Sequence, residues 1–424
     1  MEQSKMETYL DILREELVPA MGCTEPIAIA YAAALARDTL GAMPERTVLT
    51  VSGNIVKNVK SVVVPNTGGR KGMRSAVAAG LCFGKADREL EVISEAGPKE
   101  LQAMDDWLAT ADISIREAQS ELPFDLAVEL FSGEESAYVH IVSHHTNVVC
   151  IRKNDEILRE KPWSAAADTV PENRAELNVE DIVRFADTVP VERLRPILQR
   201  QIEFNMAIAE TGLKGGYGAE IGKILLRSYG NSVHNRAKAW AAAGSDARMD
   251  GCEMPVVINS GSGNQGLTAS VPVIIYGREM GVTEGTLFRA LAVSNLVTIH
   301  LKTGIGSLSA YCGATSAGAG AGAGVCYLYG GRYQEIAHTI VNALAINSGM
   351  ICDGAKASCA AKIASAVEAG MLGMRMYMHD SQFYGGDGIV VTGVENTIKA
   401  VSTIAREGMR DTDKEVIRLM MGND

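Results

Sequence analysis

Residues 309–333, SAYCGATSAGAGAGAGVCYLYGGRY, and 346–366, INSGMICDGAKASCAAKIASA, decide how this chain is read. Their Gly, Ala and Ser content suits helices that pack with backbones close together, because side chains this small keep no neighbour at a distance. Cys312, Cys352 and Cys359 sit in and around that tract, with no acidic residue between Ser309 and Glu335. Three thiols in so small-residued a setting suggest a pocket for a ligand.

The chain around it has 424 residues, 47% hydrophobic and 5% aromatic, with a mean hydropathy of +0.05. That length allows about two to three domains with sizeable cores. A net charge of −11 and a pI near 5.3 argue against nucleic acid and anionic membrane surfaces as partners, since both need a clustered basic field. No run reaches the ~20 consecutive strongly apolar residues that a bilayer span needs. The opening MEQSKMETYLDILREELVPA carries acidic residues throughout, unlike a signal or transit peptide. A cytoplasmic protein acting on a small molecule is expected, its eight cysteines reduced rather than paired.

Leu10, Leu13 and Leu17 recur at helical spacing before Pro19. In MGCTEPIAIAYAAALARDTLGAM, Gly22 breaks the chain, Thr24 can cap, and Pro26 stands early in an Ala-rich helix running to about Leu40. Cys23 therefore lies beside a helix N-terminus, where the macrodipole favours a thiolate. It is the strongest candidate for a reactive thiol, and a cysteine filling a tight turn is the structural alternative.

From Arg46 to Lys153 the pattern turns to β-branched, alternating runs: TVLTVSG, VKSVVVP, ELEVIS, DISIREA, LAVELFS and AYVHIVSHHTNVVCIRK, with helical pieces at 72–83 and 98–109. Two loops there carry carboxylate-binding groups: SGNIVKN, with Asn54, Lys57 and Asn58, and PNTGGRKG, with Arg70 at the opening of a helix. Solvated turn residues are the alternative for each. Residues 154–190 are polar and proline-punctuated, a linker with one short helix, and beyond them the chain reads as almost wholly helical. The expected fold class is α+β: a small α+β domain over 1–160 with N-terminal helices, a linker over 161–190, and a large all-α domain of packed Gly/Ala-rich helices over 191–424.

Gly261, Gly263 and Gly266 spell G-x-G-x-x-G, but a dinucleotide site needs a βαβ unit and the surroundings read helical. The segment is better read as a polar loop in which Ser262 and Asn264 line a site. His144 and His145 are adjacent in a strand-like run and point to opposite faces, and the remaining histidines show no ligand spacing. Three cysteines without a fourth suit an iron-sulfur cluster with one open iron. Buried small hydrophobes are the alternative.

Taken together, MGCTEP (21–26), SGNIVKN (52–58), SGSGNQG (260–266), YCGATSAGAGAG (from 311), MICDGAKASC (350–359) and GGDGIV (385–390) resemble the L-cysteine desulfidase family. That family is related to the alpha chain of the oxygen-sensitive iron-sulfur L-serine dehydratases. The resemblance implies a 4Fe-4S cluster on Cys312, Cys352 and Cys359 and a proton acceptor at Cys23. It implies α,β-elimination on L-cysteine, giving pyruvate, ammonia and sulfide; the loops read above then offer Asn54, Lys57, Asn58, Arg70, Ser262 and Asn264 to hold the substrate carboxylate between the two domains. A Ser-Ser-Ser-His-Thr stretch is missing and the last cysteine pair is closer than in the serine enzymes, which favours the desulfidase branch. A serine or threonine dehydratase and a non-catalytic metabolite binder are the two alternatives. Gly/Ala-rich helices and relatives in the family are consistent with a homodimer.

Overall fold

The computed structural model describes residues 1–164, 172–306 and 308–421. Helix α1 (Gln3–Glu16) buries Tyr9, Leu10, Ile12 and Leu13 and is followed by a three-residue strand, β1 (Pro19–Met21). Helix α2 (Thr24–Leu40) is buried along nearly its whole length, which is why its sequence is Ala-rich rather than amphipathic. It stops at Gly41, whose φ of +82° closes the helix in the left-handed conformation.

Strand β2 (Arg46–Val51) leads into α3 (Gly53–Val59), α4 (Gly72–Phe83) and α5 (Pro98–Thr110). Strands β3 (Asp112–Glu117), β4 (Asp125–Ser132), β5 (Glu135–Val142), β6 (Val148–Lys153) and β7 (Glu156–Glu160) complete a six-stranded sheet of order β3-β2-β4-β5-β6-β7. Only β2 and β3 run parallel, with Val48 opposite Ser114; the other neighbours are antiparallel, with Val48 opposite Glu129. Leu126, Val128 and Leu130 on β4 and Ala137, Val139 and Ile141 on β5 alternate into the core, where α2 covers that face and α4 packs on α2.

Three stretches expected as strand or loop are otherwise. SGNIVKN forms α3, VKSVVVP keeps a single bridge from Val63 to Lys71, and ELEVIS begins inside a 3₁₀ turn at Ala86–Glu91 and continues without a strand. Short β-branched runs lose to tertiary context when no neighbouring strand is there to pair with them.

Part of the expected linker, residues 165–171, lies outside the described residues. On either side of it the chain is structured: β7 precedes it, and α6 (Glu172–Ala175) and α7 (Val179–Thr188) follow. Ile182, Phe185 and Ala186 of α7 are fully buried, so this segment is part of the packed protein rather than a free tether. Then come α8 (Val191–Lys214), α9 (Ile221–Tyr229), α10 (Val233–Met249), the strand β8 (Pro255–Val257), α11 (Gly263–Met280), α12 (Glu284–Ile305), α13 (Gly313–Leu328), α14 (Tyr333–Asn347), α15 (Ser358–Met378), α16 (Val394–Thr403) and, after a π turn at Ile404–Gly408, α17 (Arg410–Met421).

Helix α13 is the axis of this half, and its glycines explain the tract. A β-carbon on Gly318 would lie 2.2 Å from the Ala366 carbonyl of α15, and one on Gly320 would lie 2.6 Å from the Ser294 carbonyl of α12. Gly322 meets Gly370 of α15 and Gly324 meets Ala290 of α12 in the same way. Two glycine faces on one helix thus let two neighbours approach at backbone contact.

Candidate functional site

The site begins with a clasp. Strand β1 pairs antiparallel with β8, Ala20 opposite Val256, and this sets the start of α2 against the loop that opens α11. Thr24 Oγ1 donates to the Gly261 carbonyl at 2.9 Å across that junction. The literal G-x-G-x-x-G therefore follows a three-residue antiparallel strand, not a βαβ unit, as expected.

A second pairing builds the thiol end. Cys312 N donates to the Met350 carbonyl at 2.9 Å and Cys352 N to the Ala310 carbonyl at 2.6 Å, around a bridge between Tyr311 and Ile351. Cys312 and Cys352, forty residues apart in sequence, thus lie side by side. Cys359 stands in the first turn of α15, its Sγ 3.6 Å from the Gly354 carbonyl. Gly354, with a φ of +89°, turns the connecting loop beneath Lys57, where a β-carbon would strike the Lys57 carbonyl at 2.3 Å.

These segments enclose a cleft of about 1160 Å³ lined by Cys23, Cys312, Cys352 and Cys359. The N-terminal ends of α2, α11, α13 and α15 all meet it, so four helix dipoles and their free N–H groups favour negative charge there. Lys57, Lys302 and Lys362 line it as well.

The neighbouring Cys312 thiol pulls the Cys352 thiol down, with Lys57, the Gly354 N–H and Lys302 assisting, and Cys352 in turn pushes Cys312 well up. Burial raises Cys359 and lowers Lys302 to about 8. Lys57 is almost wholly enclosed and donates to Asp413 of α17 at 2.6 Å.

At the other end, Glu25 accepts from Cys23 Sγ at 3.0 Å and Asn58 Nδ2 at 3.0 Å, with Thr24 Oγ1, whose proton goes to the Gly261 carbonyl, 3.2 Å away. Cys23 holds the N-cap position of α2, where the sequence places it. Its protonation differs from the expectation. Burial and the Glu25 charge push the Cys23 thiol well above the ordinary range, outweighing the helix terminus and the opposing Arg248. The resting residue is a thiol that donates its proton toward Glu25.

Asn54, Lys57, Asn58, Ser262 and Asn264 all line the cleft. Arg70 does not. It pairs with Asp105 of α5, Nε to Oδ1 at 2.7 Å, and donates to the Thr67 carbonyl, closing the 65–72 loop away from the thiols. A basic loop at a helix start satisfied its own fold.

Several lining residues carried no sequence signal. Arg248, at the end of α10, is buried and donates from Nη1 to Asn264 Oδ1 at 3.1 Å. His144 and His145 lie in the turn between β5 and β6 rather than in a strand, and both face the cleft. Burial, more than any charge, pushes His145 down and keeps it neutral. Gln265 and Lys302 complete the set. The other cysteines, Cys82, Cys150, Cys252 and Cys326, are not among the lining residues, and all eight are free thiols.

Among the described residues no three His, Cys, Asp or Glu side chains are spaced to share a single metal ion. Ligands of a multi-iron cluster bond different irons and stand farther apart than ligands of one ion, so the donor chemistry is the relevant test. Three thiols, one of them favouring the thiolate, beneath lysines and two helix N-termini, fit that chemistry. Among the described residues no helix is long and apolar enough to cross a membrane.

A thiol-lined cleft between a mixed sheet and Gly-rich helices defines the class of protein. Residues 87–418 match the family model described as serine dehydratase alpha chain, and the chain belongs to that family. Over nearly its full length it is similar to UPF0597 proteins. That of Desulfitobacterium hafniense is 55% identical across 98% of this chain and 96% of the relative, and that of Treponema denticola 47% identical across 99% of each. The UPF0597 protein of Lachnoclostridium phytofermentans is 48% identical across 97% of this chain and 99% of its own.

Proposed function

We propose that this protein is a cytoplasmic lyase that carries out α,β-elimination on L-cysteine, releasing sulfide, ammonia and pyruvate. The observation that carries the reading is that one cleft receives Cys23 and the three thiols Cys312, Cys352 and Cys359. These three residues would hold a 4Fe-4S cluster, which when bound supplies a Lewis acid for the departing β-substituent. The chain's own residues do the rest.

The substrate lies between the two ends of the cleft, its α-carbon at Cys23 and its β-sulfur toward Cys352. Asn54, Lys57, Asn58, Ser262 and Asn264 surround it. Cys23 first passes its proton to Glu25, 3.0 Å away, and the thiolate then takes the α-proton. Electrons from the Cα–H bond form the Cα–Cβ double bond as the Cβ–S bond breaks and sulfide leaves. Aminoacrylate tautomerises and hydrolyses in water to pyruvate and ammonia. A thiol held as high as Cys23 is rarely ionised but strongly basic once it is, which suits an unactivated α-proton.

The family description favours a second reading, the same elimination on L-serine with water leaving. Side-by-side turnover separates the two. Protein reconstituted anaerobically with iron and sulfide is expected to be brown, to carry about four irons per chain, and to make pyruvate faster from L-cysteine than from L-serine. Cys23→Ala is expected to lose roughly 10²–10⁴-fold in pyruvate formation while keeping its iron. Full activity in that variant would remove Cys23 as the base. A colourless, folded, inactive protein after reconstitution would point to a metabolite binder instead.

A further inference from the structure

Five of the described buried polar atoms that lack a hydrogen-bond partner belong to residues of this one cleft: Asn54 Oδ1, His145 Nε2, Arg174 Nη1, Arg248 Nε and Gln265 Oε1; Arg174 is anchored through Nη2 to Glu15 and Glu16. Buried polar atoms left unpaired are costly, and a cluster of them in a cavity marks where a ligand completes the bonding.

Arg248 is the most informative. Its side chain is 2% exposed, Nη1 is taken by Asn264, and Nε points at no protein acceptor. It packs on Gly263 and Asn264 at the start of α11, next to Gly261, whose carbonyl takes the Thr24 hydroxyl, so it stands beside the start of α2 at the Cys23 end of the cleft. Of the other lining cations, Lys57 is held by Asp413, Arg174 by Glu15 and Glu16, Lys362 by Asp353, Arg406 by the Gly304 carbonyl, Arg410 by Glu121 and Lys414 by Asp411, while Lys302 feels the Cys352 and Cys312 charges first.

Two glycines make room for this arrangement. A β-carbon on Gly263 would sit 2.3 Å from Arg248 Nε, and one on Gly313 would sit 2.6 Å from the Gln265 amide carbon. The two amide oxygens supply the opposite polarity. Asn54 precedes Asn58 by one helical turn on α3, and Asn58 donates to Glu25, so Asn54 belongs to the same end of the cleft. Gln265 follows Asn264, the partner of Arg248, on α11.

We propose that Arg248, Asn54 and Gln265 form a clamp for the α-amino acid zwitterion, the Arg248 guanidinium taking the carboxylate and the two amide oxygens taking the ammonium. This rests on the elimination reading and deepens it. Carboxylate and ammonium share the α-carbon with the proton that Cys23 removes, so a clamp at the Cys23 end places that proton and sends the β-substituent toward Cys352. The ligand class is an L-α-amino acid with a small side chain, in which carboxylate and ammonium are both required.

L-Alanine tests this without turnover, because its β-carbon carries no leaving group. Calorimetric titration of the unmodified protein should show L-alanine binding at least about tenfold tighter than either propionate or ethylamine, the loss expected for one charged hydrogen-bonded group. Arg248→Met should bring L-alanine down to the level of ethylamine, and Gln265→Leu should bring it toward propionate, with circular dichroism confirming that each variant folds. The clamp is overturned if the unmodified protein binds no L-alanine at millimolar concentration, if either fragment matches L-alanine, or if folded Arg248→Met binds L-alanine unchanged. Should Arg248→Met misfold, the fragment series on the unmodified protein still decides. Binding of this pattern with no pyruvate from any amino acid would keep the clamp and remove the elimination. Pyruvate formation undiminished in Arg248→Met would do the reverse.

Discussion

Glu25 shows how one side chain sets the chemistry of its neighbours. It accepts from Cys23 and Asn58 at once, which ties the start of α2 to α3 and keeps the Cys23 proton in place. Its charge is the second cause, after burial, that raises the Cys23 thiol. Glu25→Gln removes that charge and leaves the burial. The thiol should therefore titrate at lower pH in the variant, and iodoacetamide should alkylate Cys23 faster at pH 8 than in the unmodified protein. Pyruvate formation should fall all the same, because the thiol loses its proton acceptor. An unchanged alkylation profile would mean that burial alone sets the thiol.

At the scale of elements, the contact of α13 with α12 and α15 is where a minimal change should cost most. Gly318→Ala places a methyl group against the Ala366 carbonyl, and backbone cannot rotate away as a side chain can. A loss of about 1–3 kcal/mol is expected, read as a lower midpoint in urea at unchanged slope. Because α13 begins at Cys312 and α15 carries Cys359 in its first turn, any shift between these helices also moves two of the thiols. The packing that the Gly/Ala tract encodes is thus also what holds the thiol end of the cleft together.

Across the whole molecule, a single buried apolar cluster includes Tyr9 of α1, Ala28 of α2, Val128 of the sheet, Phe185 of α7, Val273 of α11 and Val367 of α15. Trp107 on α5 and Trp240 on α10 both pack against it from opposite halves of the chain. A core shared in this way predicts one cooperative unfolding transition. Variants that keep only Trp107 or only Trp240 should report the same urea midpoint by fluorescence as the unmodified protein does by circular dichroism. Two separated midpoints would show that the sheet half and the helical half unfold independently.

What the sequence determined by itself was local. The Ala-rich helix from Thr24, the sheet strands at 46–51 and 112–153, the helical second half and the close packing at the glycine tract follow from residue type and spacing, which act within a few turns of chain. The position of Cys23 beside a helix start was legible for the same reason, whereas Asn264, read as part of a polar loop, lies in the first turn of α11 behind the N-cap Ser262. The tertiary structure alone decided what those residues meet. Nothing in DARMDGC or SHHTN indicates that Arg248 and His145 face the same cleft as Cys23, because the pairing of β1 with β8 and the β5–β6 turn bring them there across more than a hundred residues of chain. Arg70 failed as a site residue for a matching reason: Asp105, thirty-five residues on, claims it. The Cys23 thiol is raised although its helix terminus argues the reverse, because full burial and a carboxylate at 3.0 Å outweigh the partial charge of one helix end.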